Sequence, residues 1–144
     1  MTATDTITPT ATAMRAKLIA NAGITALVSQ RVYLGDAPDN AAYPHIIMKA
    51  VSAPEMDATH DDLSWQAQQW DIYAVADTMD IVNDITGKIA GVLDAQQLTL
   101  SGGAKTLVIR RQGTMPASRI KLSDTISKMI GATTLLVGIR TGSN

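Results

Sequence analysis

The chain has 144 residues, 46% of them hydrophobic, which suits one compact domain with its own core. It contains no cysteine, so a disulfide framework, a thiolate metal site and a cysteine nucleophile are excluded. The formal net charge of −1 argues against a dedicated nucleic-acid-binding protein, which draws most of its affinity from a large basic excess. No apolar run reaches the roughly 20 residues that cross a bilayer, and no basic region followed by an apolar one opens the sequence. We therefore expect no membrane association and a cytoplasmic location before the protein joins an assembly.

The charges are unevenly distributed along the chain. Residues 1–94 hold 5 Lys/Arg and 12 Asp/Glu, a net charge of −7, whereas residues 95–144 hold 7 basic residues and one acid, Asp124, a net charge of +6. One interpretation is a single domain whose solvated faces differ in charge. A second is a subunit that packs head-to-tail on copies of itself, acidic face to basic face. A third places the basic stretch along a lumen through which DNA passes.

The first half of the chain predicts an arm, a helix and two strands. Residues 1–10 are Thr-rich and lack apolar periodicity, so we expect a mobile arm ahead of a single domain over residues 11–144. Residues 11–27 carry apolar side chains at helical spacing, and Gly23 is expected to end the main part of this helix. Residues 45–52 and 63–76 are predicted to form paired strands, joined by a polar loop over residues 54–62.

The second half begins with the most regular helical pattern of the chain. Apolar residues recur at three- and four-residue steps from Ile81 to Leu93, and Thr78 or Asp77 can cap this helix. Residues 98–112 are predicted to form a hairpin, because adjacent glycines at its turn supply the positive φ that tight turns require.

The chain is predicted to close with a loop and a strand. A polar stretch over residues 113–124, interrupted by Pro116, favours a loop, and residues 126–140 favour a strand. Gly131 and Gly138 in that strand indicate bulges or a close approach of another backbone. The expected fold class is α+β, with an antiparallel sheet, two helices packed on one face and the element order α-ββ-α-ββ-β.

One segment, residues 31–46, carries information on function, and we call it the turn block. Gly35 and Asp36 favour a turn, and Pro38 and Pro44 each push the preceding residue out of helical space, so the block is expected to be an extended connection leading into a strand. Together with the element order over residues 14–140 and the segment Gln-Trp-Asp-Ile-Tyr-Ala at 69–74, it resembles the phage tail-completion proteins, which are grouped with the lambda-type tail terminators. The block departs from that family at Leu34, where proline is frequent.

The resemblance implies a structural virion protein and not an enzyme. Such a subunit has an α+β fold, is monomeric or weakly associated before assembly, and in the virion forms a hexameric ring at the tail–neck junction. The ring caps the head-proximal end of the tail tube, stops tube polymerisation and offers a surface for head joining. The implied partners are further copies of the chain, the tail tube protein, the neck or head-completion protein, and genomic DNA that passes through the lumen without sequence-specific binding. No cofactor is implied.

The candidate interface or lumen residues are aromatic or basic. Trp65 and Trp70 lie five residues apart, hence on opposite faces of a regular strand, so either one is at a contact or a bulge turns it inward. Arg110 and Arg111 are adjacent in a predicted strand, so their side chains are also expected to point to opposite faces of the sheet. The full set of candidates is Lys105, Arg110, Arg111, Trp65, Trp70, Arg119 and Lys121.

Two patterns contain ligand-binding residue types without the required spacing. A loop cluster with metal-ligand types matches neither a closed zinc set nor a calcium loop, so a solvated loop is expected there; its members are Asp57, His60, Asp61 and Asp62, with His45 elsewhere. Residues 101–105 resemble a phosphate cradle but lack the Walker spacing and precede a predicted strand. Neither histidine has a recognisable catalytic partner, so no enzymatic activity and no metal are expected.

Two alternatives to a tail terminator stay open at this point. The nearer one is a head-side adaptor or stopper of the neck. The other belongs to a different class, a small nucleic-acid-binding module that would use Arg110, Arg111, Arg119, Lys121 and Lys128. Tight binding of the isolated subunit to duplex DNA at moderate salt would favour that module, because a lumen lining gives only weak, salt-sensitive contact. A metal-dependent hydrolase built on Asp57 and His60 is the weakest hypothesis.

Overall fold

A computed structural model describes residues 7–38, 40–52, 55–57, 64–94, 105–121 and 127–141, with side chains for residues 7–38, 40–51, 67–94, 109–121 and 127–138. The elements in chain order are α1 (Ile7–Ile19), α2 (Ala22–Val28), β1 (Val32–Leu34), β2 (His45–Ser52), β3 (Glu55–Asp57), β4 (Ser64–Ala76), α3 (Met79–Leu93), β5 (Lys105–Lys121) and β6 (Ser127–Thr141). No helix within these ranges is both long and apolar enough to span a bilayer.

The strands of the described ranges form one mixed sheet in the order β1-β2-β4-β6-β5, with β3 also paired to β4. The pairs β2–β4, β3–β4, β4–β6 and β5–β6 are antiparallel, whereas β1 runs parallel to β2 with Val32 opposite Ile46. The predicted α+β class and the predicted pairing of β2 with β4 are confirmed. The sheet differs from the all-antiparallel expectation by the parallel strand β1. The sequence does not predict this strand, because three residues are too few to show a periodic pattern.

The core lies between the helices and one face of the sheet. Alternation along β4 turns Trp70, Ile72 and Ala74 toward this face, and each is at most 2% exposed. Met14 of α1 and Ile85 of α3 are fully buried against them. The helices therefore pack on one face, as predicted, but there are three of them in the described ranges instead of two.

The first helix begins earlier than predicted. Residues 7–10, expected in a mobile arm, form the first turn of α1, where Thr10 is fully buried and Ala11 is 4% exposed. Packing against the core stabilises a helical turn that a Thr-rich sequence does not favour by itself. The remainder of the predicted arm, residues 1–6, lies outside the described residues.

The break between the first two helices lies at Asn21. Its side-chain Oδ1 accepts a hydrogen bond from the backbone N–H of Ile24 at 3.1 Å, which begins α2 as a separate helix. Gly23, predicted to end a helix, lies inside α2. A similar cap begins α3, where Thr78 Oγ1 accepts from the backbone N–H of Ile81 at 3.4 Å, one of the two predicted caps.

Two predicted loops contain strands. Part of the loop predicted over residues 54–62 is β3, which pairs with β4, and residues 58–62 lie outside the described ranges. The sequence also predicts a loop over residues 113–124, but β5 continues to Lys121 and a register shift spans Pro116. Proline is tolerated there because β5 is the last strand of the described sheet, so its outer edge requires no N–H donor. The predicted hairpin partner of β5, with its turn, lies outside the described residues.

Candidate functional site

Two arginine side chains hold the turn block, one from within it and one from α1. Arg31 Nε donates to the carbonyl oxygen of Pro44 at 2.9 Å, across the two ends of the block. Arg15 Nε, from α1, donates to the carbonyl oxygen of Val32 at 2.8 Å. Gly35 has φ of 84°, the left-handed conformation that glycine adopts without strain, where the chain turns away from β1. The block is thus a fixed, extended connection, as its prolines predict.

His45 is the next-to-last residue of the turn block, and its side chain is packed inside the subunit. It is 3% exposed, and its Nδ1 lies 3.0 Å from the carbonyl oxygen of Ala42, so that nitrogen is placed to donate. Its ring lies between those of Tyr33, at 5.6 Å between centroids, and Tyr43, at 4.7 Å. Burial lowers the pKa of His45, the Ala42 carbonyl partly opposes this, and the charge of Arg31 lowers it further. A neutral, enclosed imidazole is a packing residue.

The metal pattern of the sequence lies largely outside the described residues, and of the phosphate pattern only the backbone of Lys105 is described. Within the described ranges, no three His, Asp or Glu side chains come together as a metal site. His45 is far along the sheet from β3, and the side chains of Asp57, His60, Asp61 and Asp62 lie outside the described set. Lys105, the last residue of the phosphate-like pattern, opens β5 and not a helix.

Lys128, a cation of the hypothetical nucleic-acid-binding module, is engaged within the subunit. Its Nζ pairs with the carboxylate of Asp77, just before α3, and lies 4.5 Å from the ring centroid of Tyr43. Its side chain is 19% exposed. It therefore links β6, the turn block and the start of α3, and it is not a free cation for DNA.

The other basic candidates lie on β5. Arg110 and Arg111 stand opposite Leu136 and Leu135, and hence on different faces of the sheet. Both arginines are exposed, as are Arg119 and Lys121. Within the described residues no carboxylate forms an ion pair with the side chains of Arg110, Arg111 or Arg119, although Asp94 Oδ1 accepts a hydrogen bond from the backbone N–H of Arg111 at 2.8 Å. Arg119 Nη1 donates to Ser127 Oγ at 3.3 Å. The structure thus gathers these candidates on one cationic edge strand, whose first residue, Lys105, has its side chain outside the described set.

Trp70, one of the two aromatic candidates, lies in the core. It is 2% exposed, and its Nε1 donates at 2.8 Å to Oε1 of Gln68, which is fully buried. The indole is therefore buried in the folded subunit, and its role at an interface stays a prediction. Trp65 is also part of β4, with its side chain outside the described set.

A pocket that no sequence pattern indicates opens beside Trp70, at the β1 edge of the sheet. Its volume is 480 Å³, and its apolar lining comes from α1, β1, β2 and β4: Ile7, Ala11, Leu34, Met48, Ala50 and Trp70. Asp36 and Lys49 also line it, with 3.6 Å between the carboxylate and the ammonium nitrogen. Leu34, where the turn block departs from the family pattern, is 45% exposed. We call this feature the β1 pocket.

These features define a class: a small α+β domain distinguished by an extended turn block, a cationic edge strand and an apolar surface pocket. The family model for tail completion protein gp17 matches residues 12–114, and the chain belongs to this family. The predicted resemblance to phage tail-completion proteins is thereby confirmed, and with it the assignment to structural tail proteins of virions.

A solved structure shares the fold. The chain is similar to a chain in the virion of a native gene transfer agent particle, with a TM-score of 0.71 and 17% sequence identity, over 98% of this chain and 100% of that chain. No curated protein matches the sequence.

Proposed function

We propose that this protein caps the head-proximal end of a phage-type tail tube as a homo-oligomeric ring, a hexamer, at the tail–neck junction. The ring stops tube polymerisation and provides the surface to which the neck and head are joined. The observation that carries this proposal is membership of the tail completion family over residues 12–114. The proposed partners are copies of the chain, the tail tube protein and the neck or head-completion protein.

The task requires complementary surfaces and no catalysis. A tail tube grows by adding identical rings, so its end presents the same bonding surface after every step. Only a subunit that fits this surface without reproducing it can end growth. A short domain with two different sheet edges is suited to that, because a strand edge offers backbone donors and acceptors to a complementary strand.

The exposed cations of β5 are proposed to lie at a subunit boundary or along the lumen. The side chains of Arg110, Arg111 and Arg119 form no ion pair within the described residues, so their guanidinium groups are available to an acidic surface or to passing phosphates. The net charge of −1 keeps contact with DNA weak and independent of sequence.

Electron micrographs of a lysate that lacks this protein test the proposal. A terminator leaves tubes of uncontrolled length beside unjoined heads, because nothing ends polymerisation. A head-side adaptor leaves finished tails of uniform, normal length beside filled or leaking heads. Supplying the wild-type chain from a plasmid should restore both tail length and joining. Uniform tail lengths in the lysate without it would overturn the terminator function in favour of the adaptor.

A further inference from the structure

The β1 pocket is an apolar recess at one edge of the sheet. Its volume of 480 Å³ falls within the roughly 300–1,000 Å³ of pockets that hold a small ligand, and one long side chain fits well inside that space. Ile7 and Leu34, which line it, are 40% and 45% exposed, so its apolar surface is open to a partner. The position of β1 at the end of the strand order places the pocket at the side of the subunit.

An exposed apolar side chain lies on β5, at the opposite edge of the described sheet. Met115, on β5, is 40% exposed and belongs to a strand whose charged residues are all basic. Methionine is unbranched and polarizable, so it fills irregular recesses and makes favourable sulfur contacts with aromatic rings such as that of Trp70 in the β1 pocket. One other methionine of the described residues is comparably exposed: Met79, at 51%, at the start of α3 beside Asp77 and Asp80.

The charges around the two edges differ in sign. Of the described residues from β1 through β3, Asp36, Glu55 and Asp57 are acidic and Lys49 is basic, a net charge of −2. The β5 strand holds five Lys/Arg and no acid, a net charge of +5. Met115 therefore arrives at the pocket edge with attractive charges, whereas Met79 would bring two more carboxylates to an acidic edge.

We propose that Met115 of one copy of this chain inserts into the β1 pocket of the next copy, and that this contact forms the subunit boundary of the ring. The inference rests on the proposed ring and adds to it the surfaces that meet. Because the projection and the recess lie on different edges of one subunit, the contact is heterologous, the kind that closes into rings. A two-fold contact between two β5 edges would instead bring five cations against five.

Cysteine cross-linking tests the contact without interference, because the chain has no cysteine of its own. Leu34→Cys places a thiol beside the pocket, and Gly113→Cys places one on the same face of β5 as Met115, where nothing lies within 4 Å of an added Cβ. Strands about 4.8 Å apart put β1 and β5 about 19 Å from each other within one subunit, beyond the reach of a disulfide, so any link joins two chains. A mixture of the two single variants should give a two-chain product on oxidation, and each variant alone should give none.

Serine substitutions identify the side chain responsible. Met115→Ser in the Gly113→Cys chain should reduce the linked fraction by about tenfold or more, as loss of one buried apolar side chain implies. Met79→Ser, the matched change at the other exposed methionine, should leave it unchanged. A link that survives Met115→Ser, or one that forms between chains carrying Leu34→Cys alone, overturns the proposal.

Native mass spectrometry of the wild-type chain tests the proposed ring independently of the proposed Met115 contact. If the wild type forms rings but the mixed Leu34→Cys and Gly113→Cys variants give no link, the contact is overturned and the ring stands. Absence of both rings and link at every concentration overturns the contact and counts against the ring as well. Asp80→Cys in place of Gly113→Cys is the position control, and an equal yield from it also overturns the contact.

Discussion

At the scale of single residues, side chains with versatile chemistry are used here for packing. His45 is enclosed by two tyrosines, and Trp70 bonds to a buried glutamine in the core. Lys128 joins an aspartate and a tyrosine ring. Residue type alone places these three among ligand, interface or DNA-contact candidates. Only the fold shows that each is satisfied within the subunit.

The buried His45 predicts a pH dependence of stability. Its pKa is lowered below the ordinary value of 6.5, chiefly by burial, so near and below pH 6.5 the unfolded chain binds a proton that the folded chain does not. The stabilising contribution is therefore complete above pH 6.5 and is lost as the pH falls from there through the lowered pKa. Urea unfolding across this range should show the free energy of unfolding falling with pH, and His45→Asn should flatten that fall. The matched variant His60→Asn, at the only other histidine, should retain it. Equal slopes for wild type and His45→Asn would contradict this account.

At the scale of elements, long periodic segments are predictable and short or irregular ones are not. β2, β4 and α3 follow from alternation or from three- and four-residue steps over many positions. β1 and β3, three residues each, give no such pattern, and they form because a neighbouring strand supplies their hydrogen bonds. The second half of β5 contains Gly113 and Pro116, which favour a loop locally. Its register shifts against β6 accommodate both residues in a strand.

Gly131 of β6 is expected from the sequence to mark either a bulge or a close approach of another backbone, and the structure shows both: the β5 register shifts opposite it, between Met115 and Ser118, and the β5 backbone comes close to it. A Cβ at this position would lie 2.8 Å from Cγ1 of Val82, on α3, and 3.2 Å from the carbonyl oxygen of Met115, on β5. The Val82 side chain is fully buried and branched at Cβ, so it has little freedom to move away.

Gly131→Ala should therefore destabilise the domain. We expect a cost of about 1–3 kcal/mol from overpacking, larger than the gain of about 0.4–1 kcal/mol from a less flexible unfolded chain. Gly87→Ala, in α3, is the control, since nothing lies within 4 Å of a Cβ added there and helix propensity should add about 0.5–1 kcal/mol. Chemical denaturation of both variants measures the difference. A Gly131→Ala protein as stable as the wild type would show that the α3–β6 spacing adjusts freely.

At the scale of the whole molecule, the sequence predicts the family and the charge asymmetry but not the site. The turn block and segment 69–74 suffice for the family, because their prolines, turn residues and aromatic positions are local in sequence. The β1 pocket is assembled from α1, β1, β2 and β4, so no spacing along the chain reveals it. The opposite charges of the two chain segments become informative only when the strand order places β1 and β5 at opposite edges of one sheet.

That arrangement gives a prediction for the assembled protein. Reversing Lys105, Arg110 and Arg111 to Glu changes the net charge of β5 from +5 to −1, so an edge attracted to the acidic segment of a neighbouring copy becomes repelled by it. The triple variant should form the proposed ring less readily at low salt, as measured by native mass spectrometry. Its monomer should unfold at the same denaturant concentration as the wild type, because Arg110 and Arg111 are exposed. Lys17→Glu, on the exposed side of α1, should leave assembly unchanged. Added salt should weaken the wild-type ring, since at 0.1 M the screening length falls to about 10 Å. Normal assembly of the triple variant at low salt would mean that the charge asymmetry has no part in how the copies meet.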